Sequence, residues 1–128
     1  LRVVDYKTGA PAADFDGVEA LFGPEARRQK PHILQTLLYA MMLRRAEGCD
    51  VEPALYYVRA MHRDDYSSRL VDRELGRTGV RYSEYREPFE RLLRETLAEM
   101  FDPAIPFRQC EDAEHTCRYC DFREICKR

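Results

Sequence analysis

Val3-Val4-Asp5-Tyr6-Lys7-Thr8-Gly9 is an apolar start that delivers an acid and a lysine two residues apart and then a turn. In an extended strand, positions i and i+2 point to one face, so Asp5 and Lys7 stand side by side while Val4 and Tyr6 face the opposite layer. The carboxylate can hold a hard cation such as Mg²⁺. The ammonium can orient a water beside a phosphate and offset developing negative charge. Such a pairing suits hydrolysis of a phosphodiester. An isolated Asp/Lys pair on a half-exposed strand is more often simply solvated, so the reading needs support from the rest of the chain.

The 128 residues, 45% of them hydrophobic, suffice for one domain with a single core. No apolar run approaches the roughly 20 residues of a membrane span, and the opening is not that of a signal peptide. A cytoplasmic setting without a membrane partner is therefore expected. The net charge of -2 excludes a strongly basic chain that would bind nucleic acid by its overall charge. Any DNA contact must come from local patches, for which Arg27, Arg28, Lys30, His32, Arg118, Arg123, Lys127 and Arg128 are candidates.

Strands and helices alternate along the chain. Residues 10–31, rich in Ala, Pro, Gly and Asp, read as a loop with room for one short helical piece. From His32 to Glu47 the apolar positions Leu34, Leu37, Leu38, Met41 and Met42 follow a helical period, bounded by Pro31 and Gly48. Residues 54–60 read as a strand. Residues 62–82 carry many charges, a weak extended signal at Leu70-Val71 and turns at Gly76 and Gly79. Ser83 can cap a helix whose apolar face includes Phe89, Leu92, Leu93, Leu97 and Met100, and Pro103 closes it.

On the first long helix, Gln35 and Tyr39 are four residues apart and share a face, so an amide and a phenol can reach one neighbouring site. Each can bind a phosphate oxygen. The tail holds Cys117, Cys120 and Cys126 in a C-x2-C-x5-C spacing, with Cys110 seven residues before the first. Reduced cysteines at this density hold metal more often than they form bridges. Zinc and an iron–sulfur cluster both fit, with His115 a spare ligand for zinc, and spacing does not separate them. Cys49 reads as an isolated thiol, of the kind commonly found as a small buried hydrophobe.

These pieces, in this order, resemble the PD-(D/E)XK nucleases of the RecB/AddB type. In that family a strand ends in D-Y-K-T-G, matched by Asp5 to Gly9. The next helix carries Q-x-x-x-Y, matched by Gln35 and Tyr39, and a terminal C-x2-C-x5-C matches Cys117, Cys120 and Cys126. The resemblance implies an α/β, restriction-endonuclease-like core fragment, a small mixed sheet flanked by helices. It would span residues 1–109, with the cysteine-rich tail 110–128 in the same domain. It implies Asp5 and the Tyr6 carbonyl as ligands of Mg²⁺ or Mn²⁺, Lys7 as the catalytic lysine, and Gln35 and Tyr39 as supports of DNA or of the site. It further implies a 4Fe-4S cluster on Cys117, Cys120 and Cys126, with Cys110 a further candidate ligand and Zn²⁺ the alternative. The implied activity is that of an exonuclease-like deoxyribonuclease in DNA repair and recombination, acting with a helicase domain or subunit.

The family also uses an aspartate on the strand before the D-x-K strand, a histidine or glutamate on an earlier helix, and an upstream fourth cluster cysteine. The chain opens only four residues before Asp5. The expectation is thus a fragment that is catalytically deficient alone, whose chemistry belongs to a parent protein. The alternatives are a non-catalytic DNA-binding or scaffold module with a degenerate nuclease fold and, more distantly, a zinc-ribbon-like tail on an unrelated domain.

Overall fold

The computed structural model describes residues 1–23, 30–106, 108–109 and 116–127. Along the chain come β1 (Arg2–Lys7), β2 (Asp14–Phe15), α1 (Gly17–Phe22), α2 (Pro31–Glu47) and β3 (Glu52–Tyr57). They are followed by β4 (Val71–Asp72), β5 (Arg77–Thr78), α3 (Tyr82–Met100) and a 3-10 turn at Cys117–Tyr119. The result is a mixed α/β fold with small sheets flanked by helices, in keeping with a restriction-endonuclease-like core.

β1 and β3 pair in parallel, with Asp5 opposite Leu55 and Lys7 opposite Tyr57. Parallel neighbours need a crossover, and α2 supplies it by packing against both strands. Pro31 opens α2, where its missing N–H costs no hydrogen bond, and Gly48 closes it in the left-handed region at φ 69°, donating its N–H to the Arg44 carbonyl at 2.9 Å. Because α2 returns antiparallel to the strands, its first turns lie beside the C-terminal end of β1. That places Gln35 near Lys7.

The other edge of β3 is held by the chain around Ser68, whose carbonyl accepts the Leu55 N–H at 2.9 Å. The second sheet, in the order β2-β4-β5, is parallel between β2 and β4 and antiparallel in the β4–β5 hairpin. The core is drawn from Phe15, Ile33, Leu37, Val51, Leu55, Tyr57, Leu70, Val80, Tyr82 and Phe89, all at most 1% exposed. Burial of each such aliphatic or aromatic side chain stabilises the fold by ~1.5–3 kcal/mol.

One expectation about β1 is corrected. Val3, Asp5 and Lys7 form its inward face, while Val4 and Tyr6 are 36% and 68% exposed, so among the described residues no second layer covers them. Tyr6 instead leans against Tyr56 across the strands, with ring centroids 5.4 Å apart. The strand expected over residues 54–60 ends at Tyr57, where a run of turns begins. Cys49 is exposed rather than buried, because it follows the Gly48 cap at the surface.

Candidate active site

Asp5 and Lys7 project from the inward face of β1, with side chains only 16% and 18% exposed. Their separation is 2.8 Å between Lys7 Nζ and Asp5 Oδ2. The two charges are paired, yet the alignment is not that of a hydrogen bond, and Asp5 Oδ2 is a buried oxygen that receives no hydrogen-bond donor. The Lys7 ammonium at 2.8 Å supplies the opposite charge that this buried oxygen needs, and among the described residues no further donor reaches it. A hard divalent ion suits that oxygen in its chemistry.

The Lys7 ammonium spends one donor on Gln35, whose Oε1 accepts it at 2.7 Å. Gln35 Nε2 then donates to the Tyr39 hydroxyl at 3.0 Å. One turn of α2 separates the two, the spacing that puts i and i+4 on one face. The sequence-expected quartet Asp5, Lys7, Gln35 and Tyr39 is therefore a single contiguous set. The Leu1 and Lys7 carbonyls accept from Glu52 and Val58 of the neighbouring strand, and strand alternation turns the Tyr6 carbonyl to the opposite edge of β1.

Tyr57 also belongs to this neighbourhood. It is the register partner of Lys7, it is buried, and its hydroxyl donates to the Ala12 carbonyl at 3.2 Å. Burial pushes its phenol above the ordinary value, with the Asp5 charge adding to the shift and the Lys7 charge opposing it. Tyr57 thus pins the loop after Gly9 to β3, below the acid and the lysine. A parallel pairing of residues 2–7 with 52–57 would have revealed it.

At the far end of the chain, Cys117, Cys120 and Cys126 are free thiols that line one cavity of about 200 Å³ with Arg108, Thr116 and Arg123. Gln109 donates to the Cys126 carbonyl at 3.2 Å and draws the two sides of the cavity together. Among the described residues no three His, Cys, Asp or Glu side chains stand close enough to hold one metal ion. The thiols therefore share a space without closing on a centre. Cys110 and His115, expected as further ligands, lie outside the described residues, as do Arg27, Arg28 and Arg128.

A family model of the PD-(D/E)XK nuclease superfamily matches residues 1–127. The chain belongs to this superfamily. No curated protein and no solved structure matches it. Membership brings, in general terms, a nuclease acting on DNA with divalent-metal chemistry. The matched range includes the acid-x-lysine stretch Asp5-Tyr6-Lys7 at the end of β1. No helix among the described residues is long and apolar enough to cross a membrane.

Proposed function

We propose that Asp5 and Lys7 of this chain belong to a Mg²⁺- or Mn²⁺-dependent deoxyribonuclease site of the RecB/AddB type, exonuclease-like and used in DNA repair and recombination beside a helicase. The observation that supports it best is the part-buried pairing of Asp5 Oδ2 with Lys7 Nζ at 2.8 Å on the inward face of β1, continued to Gln35 at 2.7 Å. Asp5 and the Tyr6 carbonyl would hold the ion, which when bound supplies an activated water and neutralises phosphate charge. Lys7 positions the attacking water and stabilises charge that builds on the phosphoryl oxygens. Gln35 holds the Lys7 side chain in place through the 2.7 Å contact. In the tail, Cys117, Cys120 and Cys126 are candidates for a structural 4Fe-4S cluster or for zinc, supported by their common cavity.

The test is Mn²⁺ titration of the folded chain, followed by paramagnetic broadening of the Asp5 to Lys7 amide resonances. Broadening is expected in the wild type and in Lys7→Ala, and it is expected to vanish in Asp5→Asn. Equal broadening in Asp5→Asn rejects Asp5 as the ligand. In protein that cleaves DNA with Mg²⁺, Lys7→Ala is expected to lower the rate by about a hundredfold or more with the fold intact. Unchanged cleavage rejects the role given to Lys7.

One observation favours a second reading, a non-catalytic DNA-binding or scaffold module with a degenerate nuclease fold. Among the described residues no third ligand joins Asp5. Absence of Mn²⁺ binding with retained affinity for DNA supports that module. For the tail, anaerobic purification decides between centres, because a brown protein with charge-transfer absorbance indicates iron–sulfur and a colourless one with stoichiometric zinc indicates Zn²⁺.

A further inference from the structure

Past the C-terminal ends of β1 and β3 lies a cavity of about 270 Å³, walled by Ala13, Tyr57, Ala60, Tyr66 and Val71. None of these residues belongs to the acid-x-lysine, Q-x-x-x-Y or cysteine motifs. Both tyrosine hydroxyls are committed to backbone groups. That of Tyr57 donates to the Ala12 carbonyl at 3.2 Å, and that of Tyr66 accepts the Tyr57 N–H at 2.6 Å and donates to the Leu55 carbonyl at 3.2 Å. What the two tyrosines contribute to the wall is therefore ring carbon. The charged side chains at the cavity, Arg63 and Arg69 with Asp14 and Asp65, balance in number, and each is paired. Arg63 donates to Asp65 at 2.9 and 3.1 Å, Arg69 lies 3.3 Å from Glu52, and Arg73 lies 2.8 Å from Asp14.

We infer that this cavity binds the unpaired base of a nucleotide whose phosphate lies at Lys7. The inference rests on the reading of Asp5 and Lys7 as a nuclease site. A phosphate inside the cavity would meet two carboxylates and, among the described lining residues, no unpaired cation, so the charge of the ligand has to stay outside. An aromatic and aliphatic wall with a polar rim suits a flat, uncharged ring, and stacking on tyrosine serves every base because each has a π-face. Pockets for drug-sized molecules begin near about 300 Å³, so a slightly smaller volume suits one ring system and not a longer ligand. Tyr57 ties the cavity to the acid and the lysine. It is the register partner of Lys7, and the N–H of Val58 beside it donates to the Lys7 carbonyl at 3.0 Å. A base that is still paired in a duplex keeps both faces stacked and cannot enter.

The experiment is an NMR titration of the full chain in metal-free buffer with deoxyadenosine, deoxyribose 5-phosphate and deoxyadenosine 5′-monophosphate. Deoxyadenosine is expected to shift the ring resonances of Tyr57 and Tyr66 and the amides of Ala13 and Val71, because a stacked base carries its ring current into the wall. Deoxyribose 5-phosphate, which has the charge and no base, is expected to leave them in place. The monophosphate is expected to bind about threefold tighter than deoxyadenosine, the size of one solvent-exposed ion pair. Lys7→Ala is expected to bring the two affinities together. Ser67 is exposed and lines the cavity, so Ser67→Trp places a ring inside it. That variant is expected to weaken deoxyadenosine binding about tenfold or more, the loss of one stacked base.

Equal shifts with deoxyribose 5-phosphate, no shifts with deoxyadenosine, or unchanged affinity in Ser67→Trp overturns the base site. If Ser67→Trp does not fold, intermolecular NOEs from the adenine protons to the Tyr66 ring of the wild type take its place, and their absence overturns the site. A monophosphate that binds no tighter than the nucleoside, or that keeps its advantage in Lys7→Ala, overturns the link to Lys7. Failure here is distinct from failure of the metal site. Mn²⁺ broadening at Asp5 in a chain whose cavity ignores deoxyadenosine rejects only the base site, whereas deoxyadenosine binding without Mn²⁺ broadening rejects the metal site and leaves the cavity standing.

Discussion

Asp50 shows how a single side chain far from the candidate site holds two elements together. Its Oδ1 accepts the backbone N–H groups of Val51 and Ser83, each at 3.0 Å, and its Oδ2 accepts the Ser83 hydroxyl at 2.8 Å. Ser83 is the second residue of α3, so Asp50 caps that helix from 33 residues away. Burial alone pushes the Asp50 carboxyl up, but the Ser83 hydroxyl, the Ser83 and Val51 N–H groups and the Arg44 charge outweigh it and hold the carboxyl below its ordinary value. A carboxyl depressed in the native state adds stability that is present above the unfolded value, near ~4, and lost as pH falls through the lower native value. Asp50→Ala is therefore expected to cost about 1 kcal/mol at neutral pH by urea unfolding. The gap to wild type is expected to narrow below about pH 4. A gap that stays constant on acidification would show that the carboxylate charge contributes nothing.

α2 is the element on which the site depends, and its closing residue gives a clean measure of that dependence. Gly48 sits at φ 69° with open space around the position of a Cβ, so Gly48→Ala meets backbone strain and no clash. Calorimetric or denaturant unfolding is expected to show a loss of about 1–2 kcal/mol, the cost of the left-handed region for a residue with a Cβ. A neutral substitution would mean that α2 ends elsewhere in solution. Both α2 and β1 were legible in the sequence because their patterns are local. Pro31 and Gly48 mark the ends of the helix, and the two-residue period of Asp5 and Lys7 marks the strand. By contrast β4 and β5 have two residues each, and although the hairpin between them is local, β4 is held in the fold by distant partners. The Val71 N–H donates to the Ala13 carbonyl at 2.9 Å, and the buried Asp72 accepts the Tyr85 hydroxyl at 2.7 Å. No periodicity within residues 62–82 encodes those contacts. The same holds for the cap of α3, for which Ser83 was the local candidate, and for Tyr57, whose place under the site follows only from strand register. The exposure of Val4 and Tyr6 was missed for the same reason, since a strand pattern does not say which face is covered.

Across the whole molecule, stability and the cysteine chemistry are held in different places. The buried residues run from Phe15 to Phe89, and none of the described residues beyond Phe89 is among them. Leu97 and Met100 near the end of α3 are exposed, as are Phe101 and Ile105 just beyond it and Phe122 and Ile125 in the tail. A segment with so little buried apolar surface cannot offset the entropy of ordering its backbone by packing alone. A metal centre on Cys117, Cys120 and Cys126 would supply that free energy instead, because ligands gathered by an ion make binding and folding one event. The core, which takes no buried residue from the described part of the tail, should then be indifferent to the metal. Limited trypsin digestion separates the two parts: in chelator, rapid cleavage is expected at Arg118, Arg123 and Lys127, all exposed, while the urea transition of the core stays within about 0.5 kcal/mol of the metal-loaded value. Loading with zinc, or with iron and sulfide under anaerobic conditions, is expected to protect those bonds, and Cys117→Ser with Cys120→Ser is expected to abolish the protection. Protection that is the same with and without metal would remove the centre from the tail. A core transition that falls with the chelator would instead make the tail a structural part of the core, and the metal the link between them.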